Sequence, residues 1–174
     1  IANVVRTDAD GTFWRCKGIR AKNLRLQGGT YPFMFSSDIE IDGLVSDSKY
    51  VFQYVSNVVV RNARITTKDA FWEVDNVTIY DSELNGEYLG WHSRNLRLVN
   101  WHISGEQPRC YAENLVLENC TIDPACDRAF EDCTNIDAKI KGGITNIKNP
   151  VSGHIFADFI SRVTINENVK APNS

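Results

Sequence analysis

Apolar and polar residues alternate along four consecutive segments of the chain, and the four segments repeat one another. Each begins with an asparagine, has apolar residues at the first and third positions after it, and carries Asn or Asp at the fifth. The four asparagines, each 19 residues from the next, are Asn57, Asn76, Asn95 and Asn114. Alternation with a period of two is typical of a strand with one buried face. Asn or Asp at a fixed position favours a bend in left-handed backbone geometry. The segments therefore predict short strands joined by corners.

We call the first asparagine of each segment the anchor and number positions from it. Weaker copies of the segment extend the repeat, with anchors at Gly18 and Asp38 on one side and Asn135 on the other. A further strand is predicted before each anchor, for example over residues 52–55 and 71–74. Three short strands in each repeat of about 19 residues are typical of a parallel β-helix, in which every coil packs on its neighbours.

A leucine-rich solenoid is the competing interpretation of a short apolar period. It requires a helix in each repeat and a fixed leucine-rich consensus, and the chain has neither. We therefore predict an all-β parallel β-helix of about eight coils, with the asparagines of successive coils stacked in hydrogen-bonded ladders.

The repeat also predicts how the chain is organised. Residues 1–174 are expected to form a single β-helix domain, with regular coils over 13–140 and looser C-terminal coils and a cap over 141–174. Terminal repeats of a solenoid are normally atypical in this way. Because the first repeat starts almost at once, we expect the chain to be the C-terminal part of a longer protein.

Charge and composition exclude several classes of partner. A net charge of −3 without a basic stripe argues against nucleic acid, and no apolar run is long enough for a bilayer. The five cysteines show no paired spacing, and four of them fall at inward positions, where a free thiol behaves as a small apolar group. A reduced, cytoplasmic location is the simplest interpretation. A zinc site is the alternative, but no Cys-x-x-Cys pair is present. We predict no metal and no cofactor. The cysteines are Cys16, Cys110, Cys120, Cys126 and Cys133.

The strand predicted before each anchor carries the candidate binding residues. Strand parity places positions −2 and −4 inward and positions −3 and −5 outward. Three tryptophans at −4, Trp14, Trp72 and Trp91, are then expected in the core. The outward face would hold aromatic and charged side chains suited to a sugar-binding groove. Its candidate ligand-binding residues are Tyr54, Phe52, Phe71, Arg109 and Tyr111.

Glu73 and His92 are the candidate catalytic pair on this face. They occupy position −3 in adjacent coils, so their side chains should lie within reach of each other. Histidine titrates near neutral pH, and a Glu–His pair can transfer a proton. Glycoside hydrolysis uses two carboxylates, and a second one would come from Asp69 or Glu87 only if a loop folded over the site.

Four motifs give the chain a family resemblance. They are Trp-x-Cys-Lys-Gly at 14–18, Lys-Asp-Ala-Phe-Trp at 68–72, Gly-Glu-Tyr-Leu-Gly-Trp at 86–91 and Ile-Lys-Asn-Pro-Val-Ser-Gly at 147–153. Over about residues 13–160 the chain resembles a bacterial family of uncharacterised proteins that is grouped with the pectin-lyase-like right-handed β-helices. The resemblance implies a right-handed coil and no established activity. The catalytic motifs of polygalacturonases and the calcium cluster of pectate lyases are absent, so their chemistry is not carried over.

Two hypotheses for function follow. The first is that the protein binds a polysaccharide or oligosaccharide through the outward face, with hydrolase or lyase action if it is an enzyme. The second is a non-catalytic scaffold that self-associates into a homo-oligomer through the same aromatic residues. A groove open to solvent favours the first hypothesis, and a covered aromatic row favours the second.

Overall fold

The computed structural model describes residues 1–87, 89–105 and 111–166 of the chain, and in this part the protein is all-β with no helix. Its strands, in chain order, are β1 (Ala2–Thr7), β2 (Lys17–Gln27), β3 (Ser37–Ser46), β4 (Ser56–Lys68), β5 (Asp75–Glu87), β6 (Arg94–Ser104), β7 (Glu113–Ile122), β8 (Thr134–Ile140), β9 (Gly143–Lys148), β10 (Gly153–Phe156) and β11 (Phe159–Thr164). Since no helix occurs among these residues, none is present that could span a membrane.

The strands stack in one direction to form a solenoid. β1 to β8 lie side by side in chain order with β10 next to β8, and all pairs are parallel; β9 and β11 form a separate two-stranded sheet. The register advances by one repeat per strand, so that Val58 pairs with Val77, Val77 with Leu96 and Leu96 with Leu115. The predicted parallel β-helix is confirmed as a β-solenoid of about eight turns.

Each long strand turns two corners without losing its hydrogen bonds to the neighbouring coils. The corners are the anchor and position +5, both in left-handed geometry; in β4, Asn57 has φ 54° and Asn62 has φ 55°. Apolar side chains between and beyond the corners point inward. In the same strand the four buried apolar residues are Val58, Val60, Ala63 and Ile65. These features confirm the burial that was predicted from the alternating pattern.

Among the described residues, the third strand predicted before each anchor is not present. The segment is a succession of tight turns in which every second residue is left-handed, as at Tyr50 (φ 60°), Phe52 (φ 59°) and Tyr54 (φ 53°). The N–H of Phe52 donates back to Pro32 O at 3.3 Å, and that of Tyr54 donates forward to Trp72 O at 2.9 Å. Side chains alternate between two faces only on an extended backbone, so parity does not apply to this segment.

The largest consequence concerns position −5, which points into the core and not outward. Phe13, Phe33, Phe52 and Phe71 form a stack along the solenoid axis, with ring centroids 5.3, 4.6 and 5.5 Å apart. Phe52 and Phe71 are fully buried, so their predicted exposure to a ligand is wrong. The next coil has Gly90 at this position, and there the side chain of Trp101 contacts the edge of Phe71 at 6.1 Å.

The tryptophans at position −4 also differ from the prediction of a core column. Trp14 is 42% exposed, and Trp72 and Trp91 are half-buried. The small residues at −2 are buried, as expected for Ser36 and Val55, except for Cys16, which is partly buried. The tight turns explain why some of these side chains are buried and others are exposed, because neighbouring side chains on a tight turn spread outward instead of alternating between two faces.

Stacked asparagines form the predicted ladders, and in each bond the side-chain amide donates to the coil before it. At the anchor column the bonds are Asn57 to Asp38 (2.9 Å), Asn76 to Asn57 (2.9 Å), Asn95 to Asp75 (2.8 Å), Asn114 to Asn95 (2.9 Å) and Asn135 to Asn114 (2.7 Å). At the second corner they include Asn62 to Asp42 (2.7 Å) and Asn100 to Asp81 (2.8 Å). One detail differs from expectation, because Asn95 bonds Asp75 and not Asn76.

No disulfide joins two of the cysteines that the structure describes. Cys120, Cys126 and Cys133 are buried and Cys16 is partly buried, while Cys110 lies outside the described residues. Their burial confirms the inward positions predicted for Cys16, Cys120 and Cys133.

Candidate functional site

The candidate site is the row of outward side chains at position −3. Tyr54 is 38% and Tyr111 46% exposed, and Glu73 and His92 between them are also exposed. Main-chain bonds fix the spacing of the row: the N–H of Tyr54 donates to Trp72 O at 2.9 Å, and that of Glu73 to Trp91 O at 2.8 Å. The structure thus places all four predicted residues in one column.

Left-handed backbone geometry accounts for their outward direction. Glu73 has φ 49° and His92 has φ 53°, like Tyr54 and Tyr111 in the flanking coils. Each of these residues lies near the tip of a tight turn, so its side chain projects from the solenoid surface. The prediction that position −3 faces outward is therefore right, although the strand on which it was based does not exist.

From Phe35 to Tyr111, rings fill this column except at one coil. Phe35 stacks on Tyr54 with centroids 5.0 Å apart, and His92 stacks on Tyr111 at 5.2 Å. Glu73 separates the two stacks.

A cleft of about 430 Å³ opens at this point and is lined by Glu73, Val74, His92 and Arg94. Arg94 forms an ion pair with Asp75 at 3.7 Å. Within the described part of the chain, no hydrogen bond or ion pair joins the Glu73 side chain to another residue. The cleft therefore offers a carboxylate without a cationic partner, together with an imidazole and a neutralised guanidinium.

Among the described residues, only one carboxylate lines the cleft. Asp69 and Glu87, the two candidates for a second acid, line no part of it. Burial raises the pKa of the Asp69 carboxyl above its ordinary value of 3.8, against the opposing effect of Lys68 and with a smaller contribution from Glu87. The arrangement does not assemble the pair of carboxylates that glycoside hydrolysis uses.

None of the sequence-predicted binding residues that the structure describes lines this cleft. Phe52 and Phe71 are in the core, and Tyr54 and Tyr111 lie in the coils on either side. Arg109 lies outside the described residues. Sequence reasoning missed Arg94, which sits at position −1 immediately before the anchor. The preceding coil has Asp75 there, and an Arg next to an Asp in register was the available signal.

Residues 1–174, the whole chain, match the profile of one protein family. That family is DUF3737, described as proteins of unknown function. The chain belongs to the DUF3737 family. No curated protein and no solved structure matches it. The resemblance to a family of uncharacterised proteins is thereby confirmed.

A second Glu–His pair of this DUF3737 chain lies on a different side of the solenoid. Glu83 and His102 are register partners in β5 and β6 and line two open clefts, of about 360 and 230 Å³. Here both side chains have partners: Glu83 lies 3.4 Å from Arg64, and His102 Nδ1 lies 2.7 Å from Thr121 Oγ1. Of the two glutamates, Glu73 is therefore the one whose carboxylate has no hydrogen-bond or ion-pair partner among the described residues.

The described residues hold no cluster suited to a metal ion. No group of three or more His, Cys, Asp or Glu side chains comes together in residues 1–87, 89–105 and 111–166. The chemistry that the cleft can offer is therefore hydrogen bonding, charge and ring contact from its own side chains.

Proposed function

We propose that this DUF3737 protein binds carbohydrate in the cleft formed by Glu73, Val74, His92 and Arg94. The observation that supports the proposal is an open cleft whose carboxylate has no cationic partner in the described part of the chain and which is flanked by two exposed ring stacks. Binding sites for small molecules typically combine apolar surface with a few polar groups that fix the orientation of the ligand.

The two kinds of surface in the cleft match the two kinds of surface on a sugar. A pyranose presents C–H groups on its faces and hydroxyls around its rim. Ring faces of Tyr54 and His92 are suited to the first, and the Glu73 carboxylate accepts hydrogen bonds from the second. Coils continue on both sides, so an extended polysaccharide could lie along the axis over Phe35 and Tyr111.

Binding, and not hydrolysis, is the activity that the cleft favours. General acid–base cleavage of a glycosidic bond uses two carboxylates, and one lines this cleft. The catalytic role predicted for Glu73 and His92 stays a prediction, and hydrolase or lyase action is tested by the appearance of reducing or unsaturated ends.

The test is affinity electrophoresis through gels that contain neutral, amino or uronic polysaccharides, with assay of the gel for new chain ends. We expect retention of the wild-type protein by at least one polysaccharide, and at least a tenfold weaker retention for Glu73→Gln and His92→Ala. The matched controls are Glu83→Gln and His102→Ala, the same substitutions on another side of the solenoid. Absence of retention, or equal loss in the controls, would overturn the proposal.

A second candidate function is self-association as a non-catalytic scaffold. It is favoured by the cluster of Trp14, Phe35 and Tyr54, which are 42%, 44% and 38% exposed. Trp14 contacts Phe35 edge-on at 5.8 Å, and the Arg15 guanidinium lies 5.6 Å from the Phe35 ring. Exposed aromatic patches often mark contacts between proteins. Light scattering over a range of concentrations tests this: a dimer that Phe35→Ala abolishes is expected, and a monomer at all concentrations would exclude it.

A further inference from the structure

We infer that two copies of this chain associate through the end of the solenoid that β10 and β11 form, with the two β11 strands paired antiparallel across a two-fold axis. We call this surface the β11 end. It lies at the end of the stack of coils, whereas the carbohydrate cleft and the aromatic cluster of Trp14, Phe35 and Tyr54 lie along its side. The inference therefore goes beyond both proposed functions.

The hydrophobic core is uncovered at the β11 end. Ile144 and Ile147 of β9 are 1% and 3% exposed. Ile160 and Val163, their register partners in β11, are 40% and 54% exposed. The partners in β11 lose burial because no further coil of the described chain packs on β11. Apolar surface left in water in this way favours association with another surface.

The β11 end also presents strand edges to solvent. In the described part of the chain, β11 pairs only with β9, and β10 only with β8. An edge strand leaves a row of N–H and C=O groups unpaired, and such a row can take up a strand from another chain. Charged side chains on an edge strand normally oppose this pairing. The one charged residue of β11, Arg162, is compensated by Asp127 at 3.8 Å.

The sequence of β11 suits a second copy of itself. When two β11 strands run antiparallel with Ser161 on the two-fold axis, Phe159 of each copy lies opposite Val163 of the other. Apolar residues that face each other in this way stabilise an antiparallel pair by about 0.2–1 kcal/mol per pair. The contact is isologous, so it occurs twice and the assembly closes at a dimer.

Two other occupants suit the β11 end less well. Residues 167–174 follow in the sequence, and Val169 is the only large apolar residue among them. The opposite end of the described chain is β1, where Arg6 is the register partner of the buried Leu26. Stacking β1 of one copy on β11 of another would bring the Arg6 guanidinium against an apolar surface, which is costly for an unpaired charge. A closed dimer through β11 is therefore favoured over a filament.

The first test is sedimentation velocity from micromolar to millimolar protein. We expect reversible dimerisation of the wild-type chain. Val163→Asp should weaken the dimer at least tenfold, because it places a carboxylate in the apolar contact. The matched control is Val45→Asp, at an exposed valine of β3 away from the β11 end, and it should dimerise as the wild type does. Circular dichroism of each variant checks that the fold is retained.

A second test locates the two-fold axis. Residues directly opposite each other in an antiparallel pair have Cα atoms about 4.5–5.5 Å apart, within the range that a disulfide bridges. Ser161→Cys should therefore form a covalent dimer when copper–phenanthroline is added as the oxidant. Thr66→Cys, at an exposed position of β4 in the middle of the solenoid, should form none, and neither should the wild type.

Each contrary outcome overturns the inference in a different way. A wild-type chain that stays monomeric at every concentration excludes the dimer. If dimers appear only after residues 167–174 are removed, that segment covers the β11 end. A dimer that Val163→Asp preserves and Phe35→Ala abolishes forms through the aromatic cluster instead. A dimer that Ser161→Cys does not link lacks the proposed two-fold axis. None of these results bears on carbohydrate binding, which gel retention tests separately.

Discussion

Aromatic residues occupy backbone positions in this protein that glycine or asparagine normally fill. Phe33 and Phe52 have φ 66° and 59°, a region that costs a residue with a side chain roughly 1–2 kcal/mol. Burying a phenylalanine returns about 1.5–3 kcal/mol, and each ring pair adds about 0.5–1.5 kcal/mol. Packing therefore outweighs the backbone strain at position −5, and the stack of rings holds the turns in their unusual geometry.

Gly90 and Trp101 give a test of this balance between packing and backbone strain. Gly90 has φ 71°, close to the value at the Phe positions, and Trp101 is buried against Phe71. Gly90→Phe alone should clash with Trp101, and Trp101→Ala alone should leave a cavity that costs about 3–5 kcal/mol. The double variant should recover much of the loss, because the new Phe continues the stack.

Denaturant unfolding of the four proteins measures the coupling. We expect an interaction energy of at least about 1 kcal/mol in favour of the double variant. Additive effects would show that Trp101 does not occupy the space left by Gly90.

Which residues are buried was only partly readable from the sequence. Val58 and Val60 belong to an extended strand, so their alternation was a reliable guide. Phe52 belongs to a run of turns, where alternation carries no such meaning. A better signal was available, because a large apolar side chain that returns at the same position of successive coils, as Phe33, Phe52 and Phe71 do, packs on its own copies inside a solenoid.

Among the elements, the two runs of the anchor ladder begin in the same way. A carboxylate starts each of them and amides continue it: Asp38 accepts from Asn57, and Asp75 accepts from Asn95. In the first coils an amide takes this place, because Asn3 accepts from Asn23. A carboxylate only accepts hydrogen bonds, so it suits the first member of a run, whose partner lies on one side. An amide both accepts and donates, as the later members must.

Asn114 is an interior member of its ladder, and its substitution should weaken the contacts with both neighbouring coils. Its amide donates to Asn95 at 2.9 Å, and its oxygen accepts from Asn135 at 2.7 Å. Asn114→Ala should lower the free energy of unfolding by about 1–3 kcal/mol, since two bonds are lost and Ala is less tolerant of φ 55°. Thermal and denaturant unfolding measure the change.

Asn85 supplies the control, as an exposed asparagine of β5 that is not part of a ladder. Asn85→Ala should change stability by less than about 0.5 kcal/mol. An Asn114→Ala variant as stable as this control would show that the ladder contributes nothing measurable.

The spacing of 19 residues was enough to predict the ladders, because stacked coils bring equivalent residues together. It could not predict that Asn95 would choose Asp75 over Asn76. Two acceptors lie within reach there, and the choice depends on side-chain rotamers and on the greater strength of a bond to a charged acceptor. Local geometry determines which acceptor an amide bonds, so the spacing of 19 residues does not predict it.

At the scale of the whole molecule, two carboxyls should give stability opposite dependences on pH. Burial raises the pKa of Asp69, so the folded state holds its proton more tightly and this contribution to stability is lost as pH rises above 3.8. The hydrogen bond from Asn146 is the main cause that lowers the pKa of Asp127, so its contribution is lost as pH falls below 3.8.

Unfolding free energies measured between acid and neutral pH should separate the contributions of Asp69 and Asp127. Asp69→Asn should become more stable relative to the wild type as pH rises, and Asp127→Asn should become less stable. The Asn at position 69 is compatible with φ 52°, so the backbone is retained. Parallel pH curves for the two variants would contradict these assignments.

The uniform register predicts that one complete coil can be removed. Deletion of residues 57–75 joins Ser56 to Asn76 and leaves Ile39 opposite Val77 in place of Val58. Phe52 would then contact Trp101 as Phe71 does now. We expect a cooperative fold with an all-β circular dichroism spectrum and a denaturant m-value reduced in proportion to chain length.

Deletion of residues 58–75, one residue fewer, is the matched comparison. It leaves an extra residue at the corner, which a bulge has to absorb, so a loss of at least about 1 kcal/mol is expected relative to the 19-residue deletion. Equal stability of the two shortened chains would show that register does not limit the stacking.

The candidate site was partly predictable at this scale. Tyr54, Glu73, His92 and Tyr111 fall in one column because the repeat brings equivalent positions together, whatever their local conformation. The cleft itself was not predictable, since its lining depends on the arrangement of the Glu73, Val74, His92 and Arg94 side chains in the folded chain. The ion pair between Arg94 and Asp75 could have been predicted from their register, but that Glu73 has no such partner among the described residues required the folded structure.

The direction of the amide ladders has a consequence for the ageing of the protein. Asparagine slowly loses its amide nitrogen in solution and becomes aspartate. Inside a run, that change would replace a donor by a carboxylate and set two acceptor oxygens against each other. The damage at Asn57 or Asn114 would thus cause repulsion between coils and not only the loss of a bond. Deamidation of the interior asparagines is therefore expected to weaken the contacts between coils as the protein ages.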